Sequence, residues 1–233
     1  MNKIRCFALL LVTALAVAGC VTDAPQAPRD LVATNLPFAK EINAYTQADL
    51  TNPPPRGATL FIGSSSVRLW KTLVQDFPKH RVINRGFGGS QIIDSVNYAE
   101  RIVFPYRPER IVMYAGGNDI NSGKSPQQVF SDFRAFVAKV HAKLPKTEIA
   151  YISIAPNPAR WSQVDKVREV NALIADFANR ERQVSFINVF PHMLGEDGMP
   201  RPEIFVADRL HMNTKGYELW TPIIGAHLDQ SAR

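Results

Sequence analysis

Five short runs of apolar residues recur along the chain, and each is followed within two residues by Gly or Pro. The runs show no regular alternation with polar positions, which favours strands that are buried on both faces of a sheet. The predicted strands cover residues 58–62, 81–84, 110–115, 148–154 and 184–189. The sequence shows no internal repeat, no low-complexity block and no second domain boundary.

The segments between these strands carry apolar residues at helical spacing. The clearest helix opens at Ser125–Pro126, with Pro at the first helical position. Its apolar face comprises Val129, Phe130, Phe133, Phe136, Val137 and Val140. Further helices are predicted at residues 38–50, 66–73, 92–103, 162–182 and 214–228, with Val67, Trp70 and Val74 sharing one side of the second. The alternation predicts an α/β fold, a three-layer αβα sandwich with a five-stranded parallel sheet.

The N-terminus pairs a basic stretch, with Lys3 and Arg5, with an apolar run at residues 7–18. That run spans about 18 Å as a helix, less than a bilayer core of roughly 30 Å, so it favours a signal peptide. It leads into Val-Ala-Gly-Cys20, which resembles a bacterial lipobox and implies cleavage before Cys20 and lipidation of its thiol. An ordinary secretory signal is the alternative. The predicted parts are a signal peptide at 1–19, a tether at 20–38 and a domain at 39–233.

Charge and cysteine content narrow the range of partners and compartments. The net charge of +6 falls to +4 once Lys3 and Arg5 are removed, which is too mild to indicate nucleic-acid binding. Without Cys6, and with Cys20 lipidated, the mature domain has no disulfide and depends on its core for stability. Val21 follows Cys20, and by resemblance to Gram-negative lipoproteins this implies an outer-membrane protein that faces the periplasm.

Unusual sequences follow the predicted strands, where binding sites form in open parallel sheets. They are Gly63-Ser64-Ser65-Ser66, Gly88-Gly89-Ser90, Gly116-Gly117-Asn118-Asp119 and Asp208-Arg209-Leu210-His211. Together they could supply a hydroxyl, exposed backbone N–H groups, an amide donor and an acid–imidazole pair, which are the parts of acyl transfer. Taken singly, the four segments also fit a helix cap, a tight turn, an Asx turn and a surface turn, in that order, and for the serines the cap is the stronger interpretation.

The chain resembles the SGNH hydrolases, also called GDSL esterases and lipases, which have a flavodoxin-like fold. Four segments in order carry the resemblance: Leu60–Ser66, Asn84–Gly89, Gly116–Asp119 and Asp208–His211. The resemblance implies that Ser65 is the nucleophile, His211 the general base and Asp208 the acid that orients it. It also implies an oxyanion hole made of the Ser65 N–H, the Gly89 N–H and the Asn118 side chain. Ser64 stands where the family usually has Asp, which leaves Ser64 as a rival nucleophile.

Other enzyme classes are not supported. An α/β-hydrolase elbow needs Gly at the position of Val67, and a dinucleotide fingerprint needs Gly at the position of Gln91. No cofactor and no metal are expected.

The predicted substrates are esters with short acyl or acetyl groups, as small molecules or on glycans, and Asn157, Arg160 and Trp161 could line the pocket. Two alternatives remain open: an acyltransferase that acts on a glycan hydroxyl, and an inactive binding lipoprotein.

Overall fold

The computed structural model describes residues 35–231, and its centre is a single parallel sheet. The strands are β1 Thr59–Gly63, β2 Val82–Gly86, β3 Arg110–Tyr114, β4 Glu148–Ile152 and β5 Val184–Ile187. They lie in the order β2-β1-β3-β4-β5, and every neighbouring pair is parallel. The predicted five-stranded parallel sheet is therefore confirmed, with each boundary within two residues of its predicted position.

Helices cover both faces of this sheet. They are α1 Ala39–Thr51, α2 Ser65–Arg68, α3 Leu73–Asp76, α4 Ile92–Ile102, α5 Gly117–Asn121, α6 Pro126–Lys143, α7 Val164–Ala178 and α8 Thr214–Ser231. Helices α1, α4, α6 and α7 contribute to one apolar core, and α2, α3 and α8 contribute to the other. This is the predicted three-layer αβα sandwich.

Strand β1 shows why the strands lack polar alternation. Leu60 and Ile62 lie in the core beneath α4 and α6, whereas Phe61, between them in sequence, lies in the core beneath α8. All three side chains are fully buried. Because each face of the sheet is covered by helices, consecutive positions in the middle of this strand are apolar on both sides.

The single helix predicted at residues 66–73 is wrong. The chain forms α2 and α3 with a turn between them, and Val74 is 62% exposed instead of sharing a buried side with Trp70. The turn is held by the carboxylate of Asp76, which accepts hydrogen bonds from Trp70 Nε1 at 2.6 Å and Thr72 Oγ1 at 2.7 Å. These bonds hold the Trp70 indole in the core and compete with a continuous helix.

Two further elements differ from the prediction. The helix expected at 162–182 is shorter, because Pro158–Gln163 form a 3₁₀ segment and α7 ends at Ala178. Helix α5 is not predicted at all, since Gly116 and Gly117 at its start are poor helix formers. The sequence pattern indicates only a turn at that point.

The start of the chain is only partly described. The predicted signal peptide at 1–19, Cys20 and the tether up to residue 34 lie outside the described residues. At the end of the predicted tether, the Phe38 ring packs edge-on against Phe87, with centroids 5.2 Å apart. Between residues 35 and 231, no helix has both the length and the apolar character needed to cross a membrane.

Candidate active site

Ser65 is positioned by a very close approach of β1 to β3. Gly63 has a φ of 131°, and a Cβ atom at this position would lie 1.9 Å from the carbonyl oxygen of Tyr114. The position therefore requires glycine. The next N–H, of Ser64, donates to that same carbonyl at 2.9 Å. The chain then enters α2, with Ser65 as the first helical residue at the carboxyl edge of the sheet.

Three of the predicted catalytic side chains form a continuous line of hydrogen bonds. His211 Nε2 lies 2.9 Å from Ser65 Oγ, although the two residues are 146 positions apart in sequence. His211 Nδ1 lies 2.7 Å from Asp208 Oδ2. Because the carboxylate accepts from Nδ1–H, Nε2 is left to accept the Ser65 proton. The imidazole is hydrogen-bonded to Ser65 and not to the rival Ser64, which is only 6% exposed.

The Asp208–His211 loop is braced by its own backbone. Asp208 Oδ1 accepts hydrogen bonds from the N–H groups of Leu210 and His211, both at 2.9 Å. Arg209 has a left-handed φ of 58°, which turns the chain so that both N–H groups face one oxygen. The hydrogen bond from the His211 ring, followed by that from its backbone, lowers the pKa of Asp208 to about 2. The carboxylate is therefore ionised at neutral pH.

The predicted oxyanion donors are also accessible. The backbone N–H groups of Ser65 and Gly89 have no acceptor within the described part of the chain. Gly89 has a φ of 81°, and a Cβ there would meet nothing within 4 Å, so open space adjoins it. Asn118 Nδ2 donates to Ser90 O at 3.0 Å, and its Oδ1 accepts from Arg160 Nη1 at 3.0 Å. These contacts orient the amide and leave one N–H of Nδ2 for a ligand.

Asp119 links the Asn118 segment to the Gly89 segment, a role that the sequence does not reveal. Its side chain is fully buried and accepts from the Ile92 N–H at 3.2 Å and from Lys124 Nζ at 3.0 Å. Burial raises the pKa of Asp119. One of its partners, Ile92, lies 27 residues away in sequence, at the start of α4. No sequence signal identifies that contact.

The triad opens into a small cavity of about 40 Å³. Its apolar walls include the buried side chains of Met193, Phe205 and Trp220. Of the predicted pocket residues, Asn157 and Arg160 line this cavity, whereas Trp161 lines a neighbouring depression of about 10 Å³ together with both of them. No group of three or more His, Cys, Asp or Glu side chains within residues 35–231 could hold a metal ion.

A much larger groove, of about 760 Å³, lies at the other edge of the sheet, where the strands begin. Its lining includes Lys79, Arg81 and Lys146, and it contains none of the residues of the triad. The small cavity is the better candidate site, because it holds a nucleophile, a base and polar donors in contact with one another.

The family and the fold define the class of protein. Residues 56–219 match the model of the GDSL-like lipase/acylhydrolase family, and the chain belongs to that family. It is therefore a hydrolase of the SGNH type. Both the family and the enzyme class predicted from the four segments are confirmed.

Solved structures share this fold at low sequence identity. A Streptococcus pneumonia protein provisionally named a platelet activating factor is 23% identical, with a TM-score of 0.71 over 81% of this chain and 91% of that one. A GDSL-like lipase from Bacteroides thetaiotaomicron is 20% identical, with a TM-score of 0.69 over 82% of this chain and 98% of that one. A carbohydrate esterase from Talaromyces cellulolyticus is 16% identical, with a TM-score of 0.56 over 74% of this chain and 97% of that one. The curated proteins include no significant match.

Proposed function

We propose that the chain is a serine esterase that hydrolyses carboxylic esters with short acyl groups. The observation that carries the proposal is the 2.9 Å contact between His211 Nε2 and Ser65 Oγ, with Asp208 bonded to the other ring nitrogen. A hydroxyl in contact with an oriented imidazole is the arrangement that makes a weak nucleophile reactive. Ester hydrolysis is also within the range of the GDSL-like lipase/acylhydrolase family.

In this mechanism, Ser65 Oγ attacks the ester carbonyl carbon while His211 Nε2 takes the hydroxyl proton. Negative charge on the carbonyl oxygen is stabilised by the N–H groups of Ser65 and Gly89 and by Asn118 Nδ2. The ester C–O bond then breaks, and His211 returns the proton to the departing alkoxide. A water molecule, deprotonated by the same imidazole, hydrolyses the acyl-enzyme and releases the carboxylic acid.

The size of the cavity supports the preference for short acyl groups. A space of about 40 Å³ holds about three water molecules, and an acetyl group has about as many heavy atoms. The buried Met193, Phe205 and Trp220 side chains limit its depth and suit an apolar methyl group. A long acyl chain would extend beyond this cavity.

Substitution of the two adjacent serines tests the proposal. Ser65→Ala is expected to lower kcat/KM on an aryl acetate by at least about 10³-fold and to abolish labelling by a fluorophosphonate, because the attacking oxygen is lost. Ser64→Ala is the matched control and should retain both labelling and most of the activity. A Ser65→Ala enzyme with the wild-type rate would overturn the assignment.

We further propose that the protein is exported and held by a lipid on Cys20, in the outer membrane and facing the periplasm. The support is the order of basic residues, apolar run and lipobox-like sequence before Cys20. Several acyl chains on one cysteine would give stable anchoring, whereas a single chain binds only marginally.

A further inference from the structure

Arg160 reaches the candidate active site from the loop that follows β4. Asn157 Oδ1 accepts from the Arg160 backbone N–H at 2.9 Å and holds the start of the 3₁₀ segment Pro158–Gln163. The Arg160 Nη1 atom donates to Asn118 Oδ1 at 3.0 Å and to Gly117 O at 3.2 Å. The guanidinium is thus fixed beside a proposed oxyanion donor, on the wall of the triad cavity.

The positive charge of Arg160 has no negative partner in the part of the chain that the structure describes. Its bonds are to two uncharged oxygens, and its Nε and Nη2 atoms have no hydrogen-bond partner among residues 35–231. The residue is half-buried, and burial lowers the pKa of the guanidinium. A partly desolvated charge with free donors is stabilised when an anion binds it.

The surroundings of the nucleophile add to this positive field. The Arg68 guanidinium packs on Gly88, where a Cβ would lie 2.7 Å from Arg68 Nε. Arg209 is exposed between the two triad residues of its loop. Neither arginine forms an ion pair within residues 35–231, and the nearby Asp208 carboxylate is already bonded to His211. Arg160 lines the cavity, and the other two arginines lie on segments next to the triad, so their positive charges attract anions and disfavour cations.

We propose that the enzyme acts on esters whose alcohol part carries a carboxylate, and that Arg160 is the specificity-determining residue that binds it. The inference rests on the proposed esterase function and names its substrate class. The acyl group fills the triad cavity, whereas Arg160 also lines the neighbouring depression beside Trp161, so the carboxylate belongs on the leaving alcohol. The Nε and Nη2 atoms of a guanidinium can bind the two oxygens of a carboxylate side by side.

Matched pairs of acetyl esters test this inference. In each pair a carboxylate is replaced by a neutral polar group. The pairs are 3-acetoxybenzoate with 3-acetoxybenzamide, and an acetylated methyl glucuronoside with the methyl glucoside acetylated at the same hydroxyl. At low ionic strength, the wild-type enzyme is expected to prefer the anionic member by at least about tenfold in kcat/KM. Added salt should reduce that preference, because exposed charges are screened.

Variants of Arg160 separate recognition from positioning. Arg160→Gln keeps a donor for Asn118 but removes the charge, so the anionic-to-neutral ratio of kcat/KM should fall close to one. A loss of Asn118 orientation alone would lower both rates and leave the ratio unchanged. Arg160→Lys should retain part of the preference. Arg180→Gln is the matched control, because Arg180 is exposed, pairs with Asp176 and follows α7 at the opposite edge of the sheet.

The outcomes are distinct from those that test the esterase itself. Equal wild-type rates on both members of each pair would overturn this inference, and so would a preference that survives in Arg160→Gln. In either case, Ser65-dependent hydrolysis of the neutral esters would leave the proposed function intact. Hydrolysis of both members that persists in Ser65→Ala would overturn the proposed function instead.

Discussion

At the scale of single residues, three hydrogen bonds fix the orientation of the Asp208 carboxylate, although its loop is exposed. It accepts one hydrogen bond from the His211 ring and two from backbone N–H groups. Its folded pKa of about 2 is below the ordinary value of 3.8, so it is ionised in the native state above about pH 3. Any stability that it contributes is present above the unfolded pKa and is lost as the pH falls through about 2.

Asp208→Asn should therefore remove activity across the whole neutral range and not merely shift its pH dependence. An amide in this place can donate to the ring and favour the wrong tautomer of His211, and kcat should fall by up to about 10⁴-fold. The pH–rate profile of the purified variant between pH 5 and 9 measures this. Asp176→Asn on the exposed face of α7 is the control. A variant that keeps a tenth of the wild-type kcat would contradict the proposed role.

At the scale of the elements, helix α1 is joined to β2 by a buried polar cluster of Asp49, Arg85 and Tyr106. Arg85 Nη2 donates to Asp49 Oδ1 at 2.5 Å, and Arg85 Nε donates to the Tyr106 hydroxyl at 2.7 Å. Tyr106 in turn donates to Asp49 Oδ2 at 2.6 Å. The side chains of Arg85 and Asp49 are 11% and 6% exposed. The cluster thus ties the first helix to an edge strand of the sheet.

Asp49→Ala is expected to lower the free energy of unfolding by about 3–5 kcal/mol, because it leaves the Arg85 charge buried without a partner. Denaturant unfolding measures the loss. Asp176→Ala breaks the exposed pair with Arg180 and should change stability by less than about 1 kcal/mol. The double variant Asp49→Ala/Arg85→Met should be more stable than Asp49→Ala alone. If Asp49→Ala were neutral, the cluster would have no stabilising role.

The strands could be predicted from sequence because burial on both faces requires a run of apolar residues that does not alternate with polar ones. The region after β1 could not be predicted as closely. The break between α2 and α3 depends on side-chain bonds from Trp70 and Thr72 to Asp76, and these have no periodic signature. Helix α5 likewise begins with residues of low helical propensity, and its position is set by tertiary contacts such as those of Asp119.

Part of the candidate site could be predicted from sequence for a similar reason. Ser65, Gly89 and Asn118 lie within four residues of the ends of β1, β2 and β3, so a parallel sheet requires them to meet at one edge. His211 lies 24 residues after the end of β5, so the sheet alone does not fix its position. The contact of Arg160 with Asn118 spans 42 residues and depends on how the 3₁₀ segment folds back. Nothing in the spacing of the sequence predicts that contact, although the sequence does place Arg160 near the pocket.

At the scale of the whole molecule, the described chain begins beside the catalytic edge. Phe38 packs on Phe87, which directly precedes the Gly88-Gly89 segment. The predicted tether of about 18 residues would span on the order of 25 Å as a coil. With a lipid on Cys20, we expect the active site to stay close to the membrane surface, within reach of esters on glycans there.

Metabolic labelling with an alkyne fatty acid tests the anchor. The wild-type protein, expressed with its N-terminal sequence in a Gram-negative host, should incorporate the label, and Cys20→Ala should not, because the acylated thiol is lost. Cys6→Ala is the matched control and should be labelled, since Cys6 belongs to the segment predicted to be removed. A wild-type protein without label, or a labelled Cys20→Ala variant, would contradict the lipoprotein assignment.

The distance of 146 residues between Ser65 and His211 bears on when the enzyme becomes active. A chain still emerging from the ribosome carries the serine long before the imidazole exists, and the base reaches the hydroxyl only after the last loop joins the sheet. The nascent polypeptide therefore has no complete set of Ser65, His211 and Asp208 contacts until residue 211 has been synthesised and has folded against the sheet.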